Sequence, residues 1–175
     1  NIAQVASWLQ VQGIRLSEVR VVPDVMDRIV EAVNALREAY DYLFTTGGIG
    51  PTHDDITVDA VAEAMGVPVV IHPEAKAMLE RYYASIGKEL TEARLRMARV
   101  PEGAELIPNR MSGAPGIKLG NLHLMAGVPH ITAGMLSFKP TPKFTIINNK
   151  TAIRNVANMI CPISPNQFHP KRWER

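Results

Sequence analysis

The amino-acid sequence predicts a three-layer α/β/α domain built on a mixed, mostly parallel β-sheet. Along most of the chain, apolar residues recur at helical spacing and then in short extended runs, an alternation typical of a parallel sheet with helices on both faces. A glycine-rich loop stands where one apolar run passes into a helical pattern, as happens at the carboxyl end of a strand in such a sheet. The length of 175 residues suits one domain with a sizeable core.

Helices and strands alternate through the first part of the chain. Ile2, Val5 and Leu9 have helical spacing, and Gly13 stands where that helix would end. Asp is a favoured N-cap residue, so we expect Asp24 to cap the second helix. In order, the pattern predicts a helix before Gly13, a strand over 14–22, a helix with an apolar face at 25–36, a strand at 42–44 and a helix over 55–65 that Gly66 closes.

The alternation continues through the middle of the chain. Residues 67–71 form an apolar run that predicts a buried strand, and His72 before Pro73 predicts a capped helix that reaches about Gly87. A further helix begins near Thr91 and is stopped by Pro101. Short extended pieces between 105 and 125 complete the pattern.

Composition excludes several classes of protein. Hydrophobic residues make up 46% of the chain and charged residues 21%, which is ordinary for a globular protein. No apolar run is long enough to span a membrane, and we expect no signal peptide. Cys161 is the single cysteine, so no intrachain disulfide can form, and a reducing, cytoplasmic location is expected.

Charge separates the last part of the chain from the rest. Residues 1–138 carry 12 basic and 16 acidic side chains, whereas residues 139–175 carry seven basic ones and only Glu174 as an acid. We expect this basic tail to be peripheral, because its prolines interrupt hydrogen bonding and its charge is costly to bury. It could contact an anionic partner, although solvation is the simpler interpretation. Within it, the spacing over 153–160 suggests only a short helix. The body shows no basic groove with interleaved aromatic residues, so nucleic acid is not an expected partner.

The glycine-rich loop over 45–55 carries the strongest functional signal. Gly47, Gly48 and Gly50 lack Cβ atoms, so the backbone there can come close to a ligand. The helix that follows directs its unpaired N–H groups and its positive dipole end at the loop, which favours a phosphate. Thr45, Thr46 and Thr52 add hydroxyl donors. We therefore predict a phosphate site facing an open cleft.

Two adjacent carboxylates end this loop and allow two interpretations. Asp54 and Asp55 beside a phosphate can position Mg²⁺, which bridges phosphate oxygens. Either can instead cap the helix, and spacing alone favours the cap. No His, Cys and Asp spacing in the sequence indicates a zinc site.

The segment Thr46-Gly47-Gly48-Ile49-Gly50-Pro51-Thr52-His53-Asp54-Asp55-Ile56-Thr57 closely resembles the signature loop of the molybdopterin-binding domain superfamily. Its Pro-Thr-x-Asp-Asp form is similar to the branch that contains competence/damage-inducible protein A and the domain fused to some FAD synthetases. Molybdopterin adenylyltransferases carry a related loop, and Asp55 falls on the Asp that is implied there in Mg²⁺-dependent adenylyl transfer. The resemblance implies that Asp54 and Asp55 are the catalytic and metal-binding residues. The implied ligand contacts in this loop are Thr46, Gly47, Gly48, Gly50, Pro51 and Thr52.

A second segment strengthens the resemblance. Pro108-Asn109-Arg110-Met111-Ser112-Gly113-Ala114-Pro115-Gly116 resembles the second ligand loop of the same superfamily, and the match as a whole covers roughly residues 1–138. The two loops should therefore face each other on one rim. The implied ligand contacts in this second loop are Asn109, Ser112, Gly113, Ala114, Pro115 and Gly116.

Domain organisation follows from where the resemblance starts and stops. In that family the domain begins with a strand and a loop of the type Gly-Asp-Glu-Ile-Leu-x-Gly, and the match here starts after that loop, at Asn1. We therefore predict a molybdopterin-binding-like domain over 1–140 without that strand and loop, and an unassigned basic tail over 141–175. The family also implies dimers or trimers.

The resemblance implies a function but leaves alternatives. The expected ligand is a phosphorylated pterin or an adenine nucleotide such as ATP or ADP-ribose, bound with Mg²⁺. The expected reaction is adenylyl transfer in molybdenum cofactor biosynthesis. One alternative is hydrolysis of a nucleotide pyrophosphate such as ADP-ribose, and another is a ligand-binding or assembly module without catalysis.

Overall fold

A mixed sheet forms the centre of the computed structural model, which describes residues 1–109, 111–136, 144–147, 150–153 and 156–163. Within these residues the strands are β1 (Arg15–Pro23), β2 (Tyr42–Thr46), β3 (Val69–Ile71), β4 (Arg99–Pro101), β5 (Glu105–Ile107), β6 (Gly116–Leu119), β7 (Leu122–Met125), β8 (Phe144–Ile147), β9 (Lys150–Ile153) and β10 (Val156–Ile163). The α-helices are α1 (Ile2–Val11), α2 (Met26–Ala39), α3 (Thr57–Met65), α4 (Pro73–Ser85), α5 (Glu92–Leu95) and α6 (Pro129–Met135), and a 3₁₀ turn spans Arg96–Ala98.

The central sheet has six strands in the order β1-β10-β2-β7-β6-β5. Three successive pairs are parallel: β1 with β10, β10 with β2, and β2 with β7. The last two strands, β6 and β5, pair antiparallel. The predicted fold class, with a mixed and mostly parallel sheet, is therefore confirmed.

Side chains of the sheet point alternately to its two faces and pack into a hydrophobic core on each face. On one face, Leu43 and Leu124 pack with α2 and α3, whose apolar sides are fully buried. On the other face, Phe44 and Met125 pack with α1 and α6. The period of two along each strand assigns neighbours to opposite cores, and this produces the three layers.

The C-terminal part of the chain supplies a strand to the middle of the sheet. β10 pairs in parallel with β1 from Val156 to Ile163 and with β2 from Ala157 to Ile160. The expectation of a peripheral tail was therefore wrong for residues 156–163. The short helix suggested over 153–160 was also wrong, because β9 and β10 occupy this region. The predicted boundary at residue 140 stays a prediction, and the rest of the predicted tail lies largely outside the described residues.

Two expected helix caps are absent, and one strand lies elsewhere than expected. Val25 and Ile56 are the N-cap residues of α2 and α3, and in neither helix does a side chain form the cap hydrogen bond. Asp24, Asp54 and Asp55 are therefore not caps in the structure.

The strand predicted at 67–71 is β3, which is partly exposed and pairs with β4 in a separate two-stranded sheet. The His72 cap is confirmed, since its ring accepts a hydrogen bond from the Ala75 N–H. In the part of the chain that the structure describes, no helix has the length and apolarity needed to cross a membrane.

Candidate functional site

An open cavity of about 640 Å³ lies at the carboxyl ends of the parallel strands. This is where ligands bind in open α/β sheets, and the volume suits a small molecule of nucleotide size. The cavity is lined by Asn1, Ile2, Asp24, Thr46, Gly47, Gly48, Ile49, Gly50, Pro51, Thr52, Asp54, Asp55, Met97, Ser112, Ala114, Pro115, Ala126, Gly127, Val128, Ile131, Met135, Cys161 and Pro162.

The glycine-rich loop connects the carboxyl end of β2 to the start of α3, as predicted. Gly47 and Gly48 have φ angles of 108° and 68°, which only glycine adopts without strain. A Cβ on Gly48 would overlap the Thr57 hydroxyl, and one on Gly50 would lie 2.5 Å from Oδ2 of Asp55. These glycines let the loop fold tightly against the helix while its outer side faces the cavity.

Three backbone N–H groups between Gly47 and Asp55 are already used within the protein. The N–H of Gly47 donates to the Met125 carbonyl at 2.9 Å, and the N–H of Thr52 donates to Oδ2 of Asp55 at 2.9 Å. The N–H of Asp55 donates to the Thr52 carbonyl at 3.3 Å. The prediction that several N–H groups of the loop face the cleft therefore cannot include these three. In this conformation they hold the loop in shape.

Asp55 is fixed within the loop and Asp54 lies at its surface. The Thr52 hydroxyl donates to the same Asp55 oxygen as the Thr52 N–H, so one residue holds this carboxylate in place. A hydrogen bond from Thr52 lowers the pKa of Asp54, with smaller contributions from its own backbone N–H and from the charge of His53. Both carboxylates line the cavity. The prediction that they share one site with the loop agrees with this geometry.

Asp24 brings a third carboxylate to the cavity. It follows β1 directly, and its Oδ1 atom is hidden from solvent without a hydrogen-bond partner in the structure. Burial raises the pKa of Asp24, and the negative charges of Asp54 and Asp55 raise it further. Sequence reasoning treated this residue as a cap. Its position after a strand parallel to β2 was the signal that could have placed it in the site.

The second loop faces the first across the same cavity. Ser112, Ala114 and Pro115 line the cavity together with Gly47 and Gly48, which confirms the predicted common rim.

Three predicted residues of the second loop lie behind this surface. Asn109 is buried and donates from Nδ2 to the Ser112 hydroxyl at 2.7 Å and to the Ala114 carbonyl at 2.8 Å, so it shapes the loop. A Cβ on Gly113 would lie 2.5 Å from Cβ of Tyr82, and one on Gly116 would lie 2.9 Å from the Leu124 carbonyl oxygen. Among the described residues, Asn109, Gly113 and Gly116 do not line the cavity. Ligand contact by any of the predicted residues stays a prediction.

Sequence reasoning missed the wall formed by the turn after β7 and the end of β10. Asn1 donates from Nδ2 to the Gly127 carbonyl at 2.7 Å and so joins the first helix to this turn. Cys161 and Pro162 line the cavity from β10, and Sγ of Cys161 lies 3.0 Å from Oγ1 of Thr46. The resemblance ended near residue 138, so it gave no signal for β10. The 126–128 turn lies inside the matched region, but its residues suggested no ligand contact.

The charged groups available for a cation are carboxylates. Within the described part of the chain, no cluster of three or more His, Cys, Asp or Glu residues has the arrangement of a metal site. Mg²⁺ in phosphate sites commonly takes only one or two carboxylates and completes its shell with phosphate oxygens and water. The hard oxygen donors of Asp54 and Asp55 fit that mode, and so does the orphaned Oδ1 of Asp24 nearby.

Comparison with known proteins agrees with the loops. A family model described as "Probable molybdopterin binding domain" matches residues 1–143. A CinA-like protein of Desulfosudis oleivorans is 35% identical over 147 residues, covering 82% of this chain and 36% of that protein. A protein of Aeropyrum pernix is 38% identical over 136 residues, covering 77% of this chain and 51% of that protein.

A solved structure shares the fold. The crystal structure of the protein CinA with unknown function from Thermoplasma acidophilum matches with a TM-score of 0.70 and 32% identity, and the match covers 78% of this chain and 82% of that one. The chain spans about half the length of the archaeal relatives that it matches and about a third of the CinA-like protein from Desulfosudis oleivorans.

Proposed function

This chain belongs to the molybdopterin-binding domain family, a family of ligand-binding domains, and from that premise we propose that its cavity binds a phosphorylated pterin or an adenine nucleotide together with Mg²⁺. We further propose that the bound groups react by adenylyl transfer. The similarity of the chain to the CinA-like relatives and to the CinA structure supports the branch of the family that contains competence/damage-inducible protein A.

One observation carries the proposal: the charged side chains among the described lining residues are Asp24, Asp54 and Asp55. Three carboxylates would repel a ligand phosphate across the same cavity. A divalent cation between the carboxylates and the phosphate offsets that repulsion, because it attracts both kinds of anion. Gly47, Gly48 and Gly50 let the protein backbone of the first loop come close to the ligand, so the cavity suits a phosphorylated ligand that arrives with its cation.

The residues of the chain divide the work as follows. Gly47, Gly48 and Gly50 keep the loop low enough for a phosphate to lie against it. Thr52 fixes the Asp55 carboxylate before the ligand arrives, so little reorganisation is needed at the reacting phosphorus. When bound, Mg²⁺ would neutralise the charge that develops on the phosphate oxygens.

The acceptor distinguishes the two candidate reactions. In adenylyl transfer, a phosphate oxygen of the pterin attacks the α-phosphorus of ATP, and the bond to the departing pyrophosphate breaks. In the second candidate, water attacks one phosphorus of the ADP-ribose pyrophosphate and the bond from that phosphorus to the bridging oxygen breaks. AMP and ribose phosphate form, and the two protons of water pass to the products or to solvent. The CinA-like relatives favour this second candidate, since Asp54 and Asp55 lie in the form of the loop that resembles their branch.

An assay of Asp55→Asn tests the proposal. The substitution keeps an oxygen acceptor for Thr52 but removes the charge. Turnover of ATP with molybdopterin, or of ADP-ribose, should fall by about 100-fold or more. The free energy of unfolding should change by about 1 kcal/mol, the worth of one hydrogen bond. Asp27→Asn, on the exposed first turn of α2, is the matched control and should leave turnover unchanged.

Two results would count against catalysis at this carboxylate. If Asp55→Asn turned over as fast as the unaltered protein, Asp55 would not position the metal. If the unaltered protein bound ADP-ribose or ATP without turning either over, with or without molybdopterin, the domain would be a binding or assembly module.

A further inference from the structure

We propose that the carboxyl end of β10 is a wall of the ligand site, so that docking of this strand and binding of the ligand strengthen each other. This proposal rests on the proposed function for the presence of a ligand, but the position of the strand can be tested without one. The family match ends at residue 143 and gives β10 no role.

β10 is held firmly in the sheet. It is paired in parallel on both sides, with β1 along eight registered residue pairs and with β2 along four. Met159 and Ile160 are both 0% exposed and lie in the cores on opposite faces of the sheet. Without β10, the sheet would lose the strand that joins β1 to β2.

The carboxyl end of β10 lies beside the glycine-rich loop. After the last pair with β2, at Ile160 and Thr45, the chain continues beside the glycine-rich loop. Cys161 and Pro162 then line the cavity. The Cys161 sulfur lies 3.0 Å from the Thr46 hydroxyl oxygen, and a Cβ on Gly47 would lie 3.9 Å from the Pro162 carbonyl oxygen. The start of the loop therefore rests against β10.

The residues of β10 that line the cavity carry no formal charge. Cys161 and Pro162 are uncharged, as are Val128 and Ile131 among the lining residues. The carboxylates that would hold the cation belong to other segments. The wall accordingly fits the uncharged part of the ligand, the pterin ring or the nucleoside, and leaves the phosphates to the loops. A ligand that contacts the wall only when β10 is docked stabilises the docked state by mass action.

Disulfide trapping tests the placement of the strand. The chain has one cysteine, so Thr46→Cys creates a single possible pair within the chain. Oxidation should link the two thiols within one chain, because the side-chain atoms at these positions are already in contact. Ser85→Cys, on the exposed last turn of α4, is the matched control and should give no intrachain link. A failure of Thr46→Cys to link, or links only between two chains, would overturn the placement.

Alkylation of Cys161 in the unaltered protein tests the coupling. Saturating ADP-ribose with Mg²⁺, or ATP with Mg²⁺, should slow alkylation by iodoacetamide about tenfold or more, and the alkylated protein should bind the same nucleotide about tenfold more weakly. Calorimetry on the same samples reports binding independently.

The outcomes separate the two proposals. Nucleotide binding with unchanged alkylation would overturn the role of β10 and leave the proposed function standing. A successful disulfide with no binding of either nucleotide or of molybdopterin would overturn the proposed function and, with it, the coupling.

Discussion

At the scale of single residues, the cavity is defined by carboxylates that the fold forces together. Asp24 follows β1, while Asp54 and Asp55 belong to the loop after β2. Burial raises the pKa of Asp24 and the negative charges of Asp54 and Asp55 raise it further, so the ionised Asp24 carboxylate is held there at an energetic cost. Unfavourable local electrostatics of this kind is characteristic of binding sites. A bound cation would remove the cost.

The buried ring of His123 makes stability depend on pH. The imidazole is 3% exposed and stacks on Phe44 with ring centroids 4.9 Å apart, and burial lowers its pKa from 6.5 to about 4. As the pH falls through this interval the unfolded state takes up the proton first, so stability is lost between pH 6.5 and about 4. The loss from this residue should approach about 3 kcal/mol.

Chemical denaturation at several pH values tests this prediction. His123→Phe keeps an aromatic ring against Phe44 and removes the proton site, so its unfolding free energy should fall less steeply over the same interval. Parallel curves for the two proteins would show that His123 takes up its proton equally well in the folded state.

Gly113 illustrates a structural role at a position first assigned to the ligand. Its φ of 70° and its approach to Tyr82 both oppose a side chain. Gly120 has a φ of 59° with no atom within 4 Å of an added Cβ, so it is the matched control. Gly120→Ala should cost about 1 kcal/mol from backbone strain, and Gly113→Ala about 1–3 kcal/mol more from the clash. Equal denaturation midpoints for the two variants would contradict the close contact with Tyr82.

Residue types in a recognisable loop were enough to predict part of the site. The glycines, Thr52 and Asp55 lie in the cavity because their positions are set by one strand, one turn and one helix, which are local features. Asp24 could be assigned only a local role, as a cap, because its true neighbours are about 30 residues away in the chain. Whether residues so far apart in the chain lie close in space depends on the order of the strands, and residue spacing does not reveal that order.

At the scale of elements, β10 shows where the pattern misleads. Prolines and positive charge in the last 37 residues favoured a peripheral segment, yet the eight residues of β10 lie at the centre of the sheet. Ile153, Val156, Ala157 and Ile160 also have the spacing of one helical face, so this segment resembles a short helix. The choice between the two is made by the open edges of β1 and β2, which are tertiary features.

Substitution of a β10 methionine tests this placement energetically. Met159 is 0% exposed, so Met159→Ala should lower the free energy of unfolding by about 2–5 kcal/mol. Met111 is 54% exposed in the second loop, and Met111→Ala should change it by about 0.5 kcal/mol or less. Urea denaturation of both variants gives the comparison. Two equally small effects would mean that β10 is not part of the stable sheet.

At the scale of the whole molecule, the fold class followed from the sequence because helical and strand spacing alternate over long segments. The order of strands did not follow, since the strand between β1 and β2 comes from the far end of the chain. The predicted facing of the two glycine-rich loops was confirmed, because residues of both loops line one cavity. What joins them is the shared edge of one sheet.

Amide hydrogen exchange with and without ligand tests most directly the claim that both loops bind one ligand. Saturating ADP-ribose with Mg²⁺, or ATP with Mg²⁺, should slow exchange in the first loop, over 46–55, and in the second, over 111–114. The exposed turn at 102–103 is the internal control and should exchange at an unchanged rate. Slowed exchange in both loops with one nucleotide is the result that we predict. Slowing in one loop alone, or in neither, would contradict a site shared between them.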